Sequence, residues 1–242
     1  MDNQKIIEAV GLTKNFRQPN GEAVPVLLGV DLEVAAGEMV AIMGPSGSGK
    51  STLLHILGLM AKPDEGRLRL LGRDAALLTE QERDRLRRRA IGFLFQFNSL
   101  LEELTLRENL TLTSRVRSPE QSERRAALEI ERLAEALGLT KRLGAYPRDL
   151  SVGECCRGNL IRSLLGSPEL IFADEPTGNL DAKNAKNLIE EFLGLLGRAH
   201  AGPLAPPAIV LATHNGDVAS QADRILVLSE GRLCLKSETN AL

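Results

Sequence analysis

A glycine-rich run has the residue types and spacing of a loop that binds phosphate. Gly44–Ser51 fits the pattern G-x-x-x-x-G-K-[ST]. Glycines let successive backbone N–H groups turn toward phosphate oxygens, and the helix that follows adds its positive N-terminal end. We expect the Lys50 ammonium to reach the β- and γ-phosphates and the Ser51 hydroxyl to ligate Mg²⁺. The predicted nucleotide contacts here are Gly44, Pro45, Ser46, Gly47, Ser48, Gly49, Lys50, Ser51 and Thr52.

The surroundings of this run decide between a phosphate loop and a merely flexible glycine loop. An apolar stretch, Glu38–Met43, precedes it and a helical pattern, Ser51–Met60, follows it. A strand followed by a loop and a helix is the context that a phosphate loop requires. A dinucleotide-binding fold is excluded, because Gly47 and Gly49 are not followed by the third glycine of that motif.

A second apolar run ends in two adjacent carboxylates, Asp174 and Glu175. Asp174 fits the aspartate that holds Mg²⁺ beside a phosphate loop. Glu175 is then placed to act as the general base that polarises the attacking water. The alternative is an ordinary strand followed by an acidic turn, and the phosphate loop earlier in the chain favours the catalytic pair.

The elements that must position these residues alternate between strands and helices. Strands are predicted at Lys5–Val10, Val24–Val34, Leu170–Ala173 and Ala208–Ala212, with a helix over Asp181–Leu196 and a final hairpin that turns at Glu230-Gly231. Parallel strands joined by helices give an α/β sheet. Helical patterns are predicted at Thr79–Arg89 and Pro119–Leu137, and residues at about 97–160 are predicted to form a mainly helical subdomain. We therefore expect one domain over 1–242, with a nucleotide-binding core formed by 1–96 and 161–242.

Composition excludes several classes of protein. Thirty basic residues against 32 acidic ones give a net charge of −2, and aromatic residues make up 3% with no Trp. This is not the basic or aromatic surface of a nucleic-acid binder. The arginine-rich run Arg83–Arg89 is interleaved with carboxylates and is predicted to be a solvated helix face. No apolar run reaches the ~18 residues of a membrane span, and no secretory signal is visible.

Taken in order along the chain, the motifs resemble those of the ATP-binding subunits of ABC (ATP-binding cassette) transporters. The segment Leu150–Glu154 resembles the signature loop of that family. The resemblance implies that Ser151 and Gly153 of one copy touch the γ-phosphate held by another. It implies further roles for Phe16 on the adenine ring, Gln96 toward Mg²⁺ and water, Asp181 in the D-loop and His214 as the switch histidine.

This resemblance also implies a fold and partners. The fold is an α/β P-loop NTPase (RecA-like) core with an N-terminal antiparallel β region and a helical signature subdomain. ATP and Mg²⁺ are the expected ligands, and two copies are expected to form a head-to-tail dimer around ATP. The expected partners are separate integral membrane subunits, at the cytoplasmic face of the inner membrane, and no nucleic acid is expected. Within the family, the segments Gly92–Gln96 and Ala173–Asp181 resemble the branch of lipoprotein-release (LolD-like), macrolide-export and cell-division ATPases.

Two other classes of protein remain as rivals. A soluble ABC ATPase acting on nucleic acid or ribosomes usually carries tandem cassettes or long coiled-coil insertions, for which this chain has no room. A small-molecule P-loop kinase would not need the signature or His214.

The signature departs from the family pattern. Val152 and Glu154 stand where Gly and Gln are usual, and Cys155 and Cys156 follow where this branch usually has amides. We expect a slightly reset loop and surviving activity. A helix N-terminus lowers a thiol pKa, so one interpretation is a reactive thiol beside the partner's ATP, and the other is two small buried thiols. Cys234 is predicted to lie in the core.

The segment Phe97–Leu101 is predicted, on the family resemblance, to line the groove that receives a membrane subunit. The alternative is that Leu100 and Leu101 are core residues.

Overall fold

The computed structural model describes residues 4–19, 21–95, 99–178, 180, 182–199 and 206–235. The chain forms two compact units, one of Met1–Arg87 with Pro207–Leu242 and the other of Arg88–Pro206. The helices and strands, in chain order, are β1 (Lys5–Arg17), β2 (Ala23–Ala35), β3 (Met39–Met43), α1 (Lys50–Leu57), β4 (Glu65–Leu70), β5 (Arg73–Asp74), α2 (Glu80–Ala90), β6 (Ile91–Phe95), α3 (Leu106–Arg117), α4 (Glu123–Ala136), α5 (Val152–Leu164), β7 (Leu170–Asp174), α6 (Ala182–Ala199), β8 (Ala208–Ala212), α7 (Gly216–Ala219), β9 (Arg224–Ser229) and β10 (Arg232–Leu235).

The first unit contains an antiparallel sheet with the strand order β2-β1-β4-β5. β1 pairs with β2 along its length and with β4 on its other edge. In β2 the side chains of Val30, Leu32 and Val34 are buried at alternate positions, as expected for a strand with one face on the core. The predicted N-terminal antiparallel region is therefore present.

Parallel strands in the same unit carry the central core. β3 pairs in parallel with β8 on one side and with β9 on the other, and β10 returns antiparallel to β9. All five residues of β8 are buried, which matches its uninterrupted apolar sequence, because a parallel strand is usually covered on both faces. The β9–β10 turn has positive φ at Glu230 (49°) and Gly231 (72°), as a tight hairpin requires.

In the second unit β6 and β7 pair in parallel, from Ile91 opposite Leu170 to Phe95 opposite Asp174. Helix α5 packs on β6, and α3 packs on both α4 and α5. The buried Arg117 at the end of α3 donates to the carbonyl oxygens of Ile91 (2.6 Å), Ser163 (3.4 Å) and Leu165 (2.9 Å). This one guanidinium therefore joins the ends of α3 and α5 to the start of β6.

Three helices begin with the same local device, a capping box. The hydroxyl of Thr79, Thr105 or Ser151 accepts from the backbone N–H three residues later, and the glutamate there accepts from the backbone N–H of the capping residue. Two backbone donors are satisfied at each helix start. The boxes open α2, α3 and α5.

Most predicted elements are confirmed, with ends that differ by a few residues. The first helix stops at Leu57 rather than Met60, because Gly58 ends it and Leu59 adopts a left-handed backbone with φ 60°. β4 and β6 were not predicted as strands. The proposed limits of the helical subdomain at about 97–160 stay a prediction.

Candidate nucleotide-binding site

The predicted phosphate loop connects β3 directly to α1. Lys50 is only 7% exposed, and its ammonium donates to the carbonyl oxygens of Gly44 (2.9 Å) and Pro45 (3.1 Å). These bonds hold a positive charge against the loop at the start of a helix, where backbone N–H groups already favour an anion.

Two glycines fix the path of this loop because a side chain would not fit. A Cβ on Gly44 would lie 2.3 Å from the carbonyl oxygen of Leu228, and a Cβ on Gly49 would lie 2.8 Å from Cγ1 of Val26. Gly49 also has φ 102°, a conformation that residues with side chains rarely adopt. Packing against β9 and β2 therefore sets the loop.

Ser48 supplies a direct sign that the loop is built for a ligand. Its hydroxyl oxygen is buried and has no hydrogen-bond partner among the described residues. Burial of a hydroxyl without a partner costs about 1–3 kcal/mol. A phosphate oxygen in the loop would relieve that cost.

β8 brings His214 to the end of the sheet from which the loop emerges. β3 and β8 run parallel with Ile42 opposite Ala212, so their carboxyl ends meet. Thr213 is fully buried and its N–H donates to the Ile42 carbonyl (3.1 Å), which anchors the residue beside His214. The His214 side chain is exposed at this edge.

Phe16 lies on β1 of the same unit, opposite Val24 of β2. Its side chain is 50% exposed. An aromatic ring with a free face suits stacking on a planar ligand, as predicted for adenine.

In the second unit the two predicted carboxylates lie where β7 ends. Asp174 is the last residue of the strand, and Glu175 follows with a left-handed φ of 45°. The Glu175 carbonyl accepts from Gly178 N–H (3.0 Å), which closes a turn directly after the strand. Such a backbone costs on the order of 1–3 kcal/mol for a residue with a side chain, and strain of this kind clusters at functional sites.

Two predicted site residues, Gln96 and Asp181, lie outside the described residues. β6 is described as far as Phe95, which stands opposite Asp174.

The signature segment forms the start of α5. Ser151 is its N-cap: its hydroxyl accepts from Glu154 N–H at 3.3 Å and also hydrogen-bonds the Glu154 carboxylate. Val152 is the first helical residue and has a negative φ, so the expected resetting of the loop for a β-branched side chain is not needed. A cavity of about 490 Å³ lies beside the segment, lined by Ser151, Val152, Gly153, Arg157, Leu180, Asn184, Asn187, Leu188 and Glu191.

Comparison with known proteins identifies the chain's family. The profile of the family "ABC transporter" matches residues 27–178. The chain belongs to the ABC transporter family. Its fold is that of an ABC cassette, with both the antiparallel and the parallel sheet that the sequence predicted, and the ATPase interpretation is confirmed with it.

Two relatives of known type show which members of the ABC family this chain is similar to. The chain is 43% identical to the macrolide export ATP-binding/permease protein MacB of Marinobacter nauticus, over 96% of this chain and 35% of that protein. It is 39% identical to the lipoprotein-releasing system ATP-binding protein LolD 2 of Caulobacter vibrioides, over 93% of this chain and 95% of that protein. The chain thus spans about a third of MacB and nearly all of LolD.

A solved ABC cassette has the same fold. The dimeric structure of a post-hydrolysis state of the ATP-binding cassette MJ0796, bound to ADP and Pi, superposes with a TM-score of 0.83. The two sequences are 31% identical, and the match covers 94% of this chain and 96% of that chain.

The glutamate in this ABC signature is strongly ionised. Its pKa is lowered to about 2, first by the backbone N–H of Ser151 and then by the Arg142 guanidinium. The Arg142 Nε atom lies 2.6 Å from the Glu154 carboxylate.

Of the two interpretations of the signature cysteines, the structure favours two packed thiols over one reactive thiol. Burial raises the pKa of both Cys155 and Cys156, and the Glu154 carboxylate raises that of Cys155 further. Both side chains are partly buried, and the Cys155 thiol points to the Pro147 carbonyl (3.6 Å). Cys234 was predicted to be core but is exposed on the edge strand β10.

The arginine-rich run on α2 forms more contacts with the rest of the fold than the predicted solvated face would. Arg83 is buried and donates to the Ala75 carbonyl (2.6 Å), and Arg87 donates to the Leu59 carbonyl (2.6 Å). Arg89 forms an ion pair with Glu120 (3.2 Å). Within the described residues, no helix is long and apolar enough to cross a membrane.

Proposed function

We propose that this chain is the ATP-hydrolysing subunit of an ABC membrane complex of the lipoprotein-release and macrolide-export branch. The observation that carries the proposal is the phosphate loop, which holds a buried lysine against its carbonyl oxygens and contains a buried hydroxyl, Ser48, without a hydrogen-bond partner among the described residues. The likeness to LolD proteins over nearly their whole length supports the branch.

Each side chain has a defined task in hydrolysis. Lys50 and the loop amides bind the β- and γ-phosphates and stabilise the charge that develops on them. Glu175 accepts the proton of the water that attacks the γ-phosphate. Gln96 and His214 orient that water and the γ-phosphate, and Phe16 stacks on the adenine.

The residues present fit a magnesium ion. Ser51 offers a hydroxyl in the first turn of α1, Asp174 a carboxylate at the end of β7, and Gln96 an amide oxygen. Mg²⁺ prefers oxygen ligands and usually takes only one or two from the protein, with the rest from phosphates and water. When bound, the ion neutralises phosphate charge.

The site is completed by a second copy of the chain. We propose a head-to-tail dimer in the ATP-bound state, in which the Ser151 hydroxyl and the Gly153 N–H contact the γ-phosphate held by the partner, with Asp181 beside them. The ABC cassette MJ0796 is dimeric in two solved structures, which supports this arrangement.

The partners of this dimer are separate integral membrane subunits, and its place is the cytoplasmic face of the inner membrane. The names of the LolD and MacB relatives support this assignment.

The test uses Glu175→Gln, which keeps the shape of the side chain but removes the proton acceptor. We expect this variant to bind ATP without turnover and to dimerise in ATP, as measured by light scattering. Lys50→Ala is the matched control, and it should lose ATP binding because a charge-assisted contact to phosphate is removed. A Glu175→Gln variant that remains monomeric and hydrolyses ATP at the wild-type rate would contradict the proposal.

A further inference from the structure

The signature of this chain contains a negative charge where docking of an anion is proposed. Glu154 follows Ser151 and Gly153, the residues that the proposed function sets against the γ-phosphate of the partner's ATP. Two anions close together repel each other, and the repulsion falls off only slowly over several ångströms. The charge therefore has to be balanced for ATP to dock.

Glu154 is held by two different kinds of contact. One carboxylate oxygen accepts from Ser151 N–H (2.8 Å), as part of the capping box. The other accepts from the Arg142 Nε atom (2.6 Å). The Glu154 side chain is 15% exposed, so this ion pair is largely shielded on the carboxylate side.

Arg142 is presented by a rigid segment outside α5. It ends a short 3-10 turn, Thr140–Arg142. Its N–H donates to the Leu139 carbonyl (2.8 Å) and its carbonyl accepts from Ala145 N–H (2.9 Å). The fixed backbone directs the guanidinium to the start of α5.

The two other capping boxes show that helix capping alone does not require an arginine. Glu82 at α2 and Glu108 at α3 make the same backbone contacts, yet within the described residues neither forms an ion pair. Their pKa values are lowered by the capping threonines. Among these three glutamates of the described chain, Glu154 alone forms an ion pair with an arginine, so the cap itself does not require that ion pair.

We propose that Arg142 is a positioning residue that neutralises Glu154 and so permits the ATP of a second copy to dock on the signature. This inference rests on the proposed dimer. The local charge is then near zero in the parent protein, one negative charge in Arg142→Ala, one positive charge in Glu154→Gln, and near zero again in the double variant.

The experiment measures how much ATP is needed for half-maximal dimerisation, by light scattering with Mg²⁺ in the Glu175→Gln background. Arg142→Ala should raise that concentration about three- to ten-fold, because the exposed carboxylate repels the nucleotide. Glu154→Gln should lower it by a similar factor, and the double variant should return close to the parent. Both differences should shrink in high salt, since salt screens them.

Two further variants separate charge from structure. Arg142→Lys keeps the charge and should lie near the parent. Arg107→Ala breaks an exposed ion pair with Glu131 (2.7 Å) in the same unit and should leave the ATP requirement unchanged.

The possible results distinguish failure of the charge-neutralising role from failure of the proposed dimer. If Arg142→Ala and the double variant are equally impaired, or if Arg142→Ala matches the parent, the charge-neutralising role is wrong while the dimer stands. If the parent itself does not dimerise in ATP, the proposed function fails and this inference fails with it.

Discussion

Cys155 and Cys156 are the fourth and fifth residues of α5, near its N-terminus, where two effects act on a thiol in opposite directions. The helix N-terminus favours the thiolate, whereas burial in apolar surroundings disfavours it. Burial wins at both positions, since both pKa values are raised. The Glu154 carboxylate next to Cys155 raises the pKa of that thiol further.

We therefore expect the signature thiols to alkylate slowly at neutral pH. Cys234 is exposed and serves as the internal standard. In a time course followed by mass spectrometry at pH 7, Cys234 should label first, and Cys155 and Cys156 should gain reactivity as the pH rises toward and above 9. Faster labelling of either signature cysteine than of Cys234 would revive the reactive-thiol interpretation.

At the scale of secondary-structure elements, the Arg117 side chain connects α3, α5 and β6. The guanidinium is buried at the end of α3 and supplies hydrogen bonds to carbonyl oxygens at the end of α5 and the start of β6. Burial lowers its pKa to about 10, so it remains charged at neutral pH. The start of α5 carries the signature, and its other end is fixed by this contact.

Arg117→Met should lower the free energy of unfolding by about 3–5 kcal/mol, because three buried carbonyl oxygens lose their donor while the volume is nearly kept. Urea denaturation followed by circular dichroism measures this. Arg115→Met is the control, since it removes only an exposed pair with Glu123 and should change stability by less than about 1 kcal/mol. Similar urea midpoints for the two variants would show that the Arg117 hydrogen bonds do not stabilise the fold to this extent.

Sequence patterns predicted the strands whose signal is local. β8 is an unbroken apolar run and the Glu230-Gly231 turn has its own chemistry, so both were predicted closely. β6 was missed because Gly92 interrupts its apolar run, so its sequence was interpreted only as part of a family motif. Cys234 was misplaced because the exposed face of an edge strand cannot be told from the buried face by composition.

The same contrast holds at the site. Lys50 and Asp174 lie in contiguous motifs, so their roles can be proposed from spacing alone. The Arg142–Glu154 pair and the unpartnered Ser48 hydroxyl depend on which segments meet in space. No local sequence pattern predicts such contacts.

At the scale of the whole molecule, one exposed leucine stands out in the segment predicted to meet a membrane subunit. Leu101 is 48% exposed, whereas its neighbour Leu100 is buried. The backbone of Leu101 is held by the buried Asn109, which accepts from its N–H (2.7 Å) and donates to its carbonyl (3.1 Å). Of the two leucines, only Leu101 fits the contact interpretation, and Leu100 belongs to the core.

Leu101→Asp should fold and retain the ATPase activity of the isolated protein, because its side chain packs little and its backbone is fixed. It should reduce co-purification with the proposed membrane subunits several-fold, as measured by pull-down from detergent extracts. Leu128→Asp, at a 62% exposed position on α4, is the matched control. If Leu101→Asp and Leu128→Asp recover equal amounts of membrane protein, this position is not part of the contact.

The left-handed backbone at Glu175 has a consequence for engineering. A glycine or asparagine adopts φ 45° with less strain than glutamate, so either would make the folded chain more stable. A library selected for heat resistance alone should therefore drift away from glutamate at position 175. The most thermostable variants of this protein would then bind ATP without hydrolysing it, so that stability is gained and activity lost at a single residue.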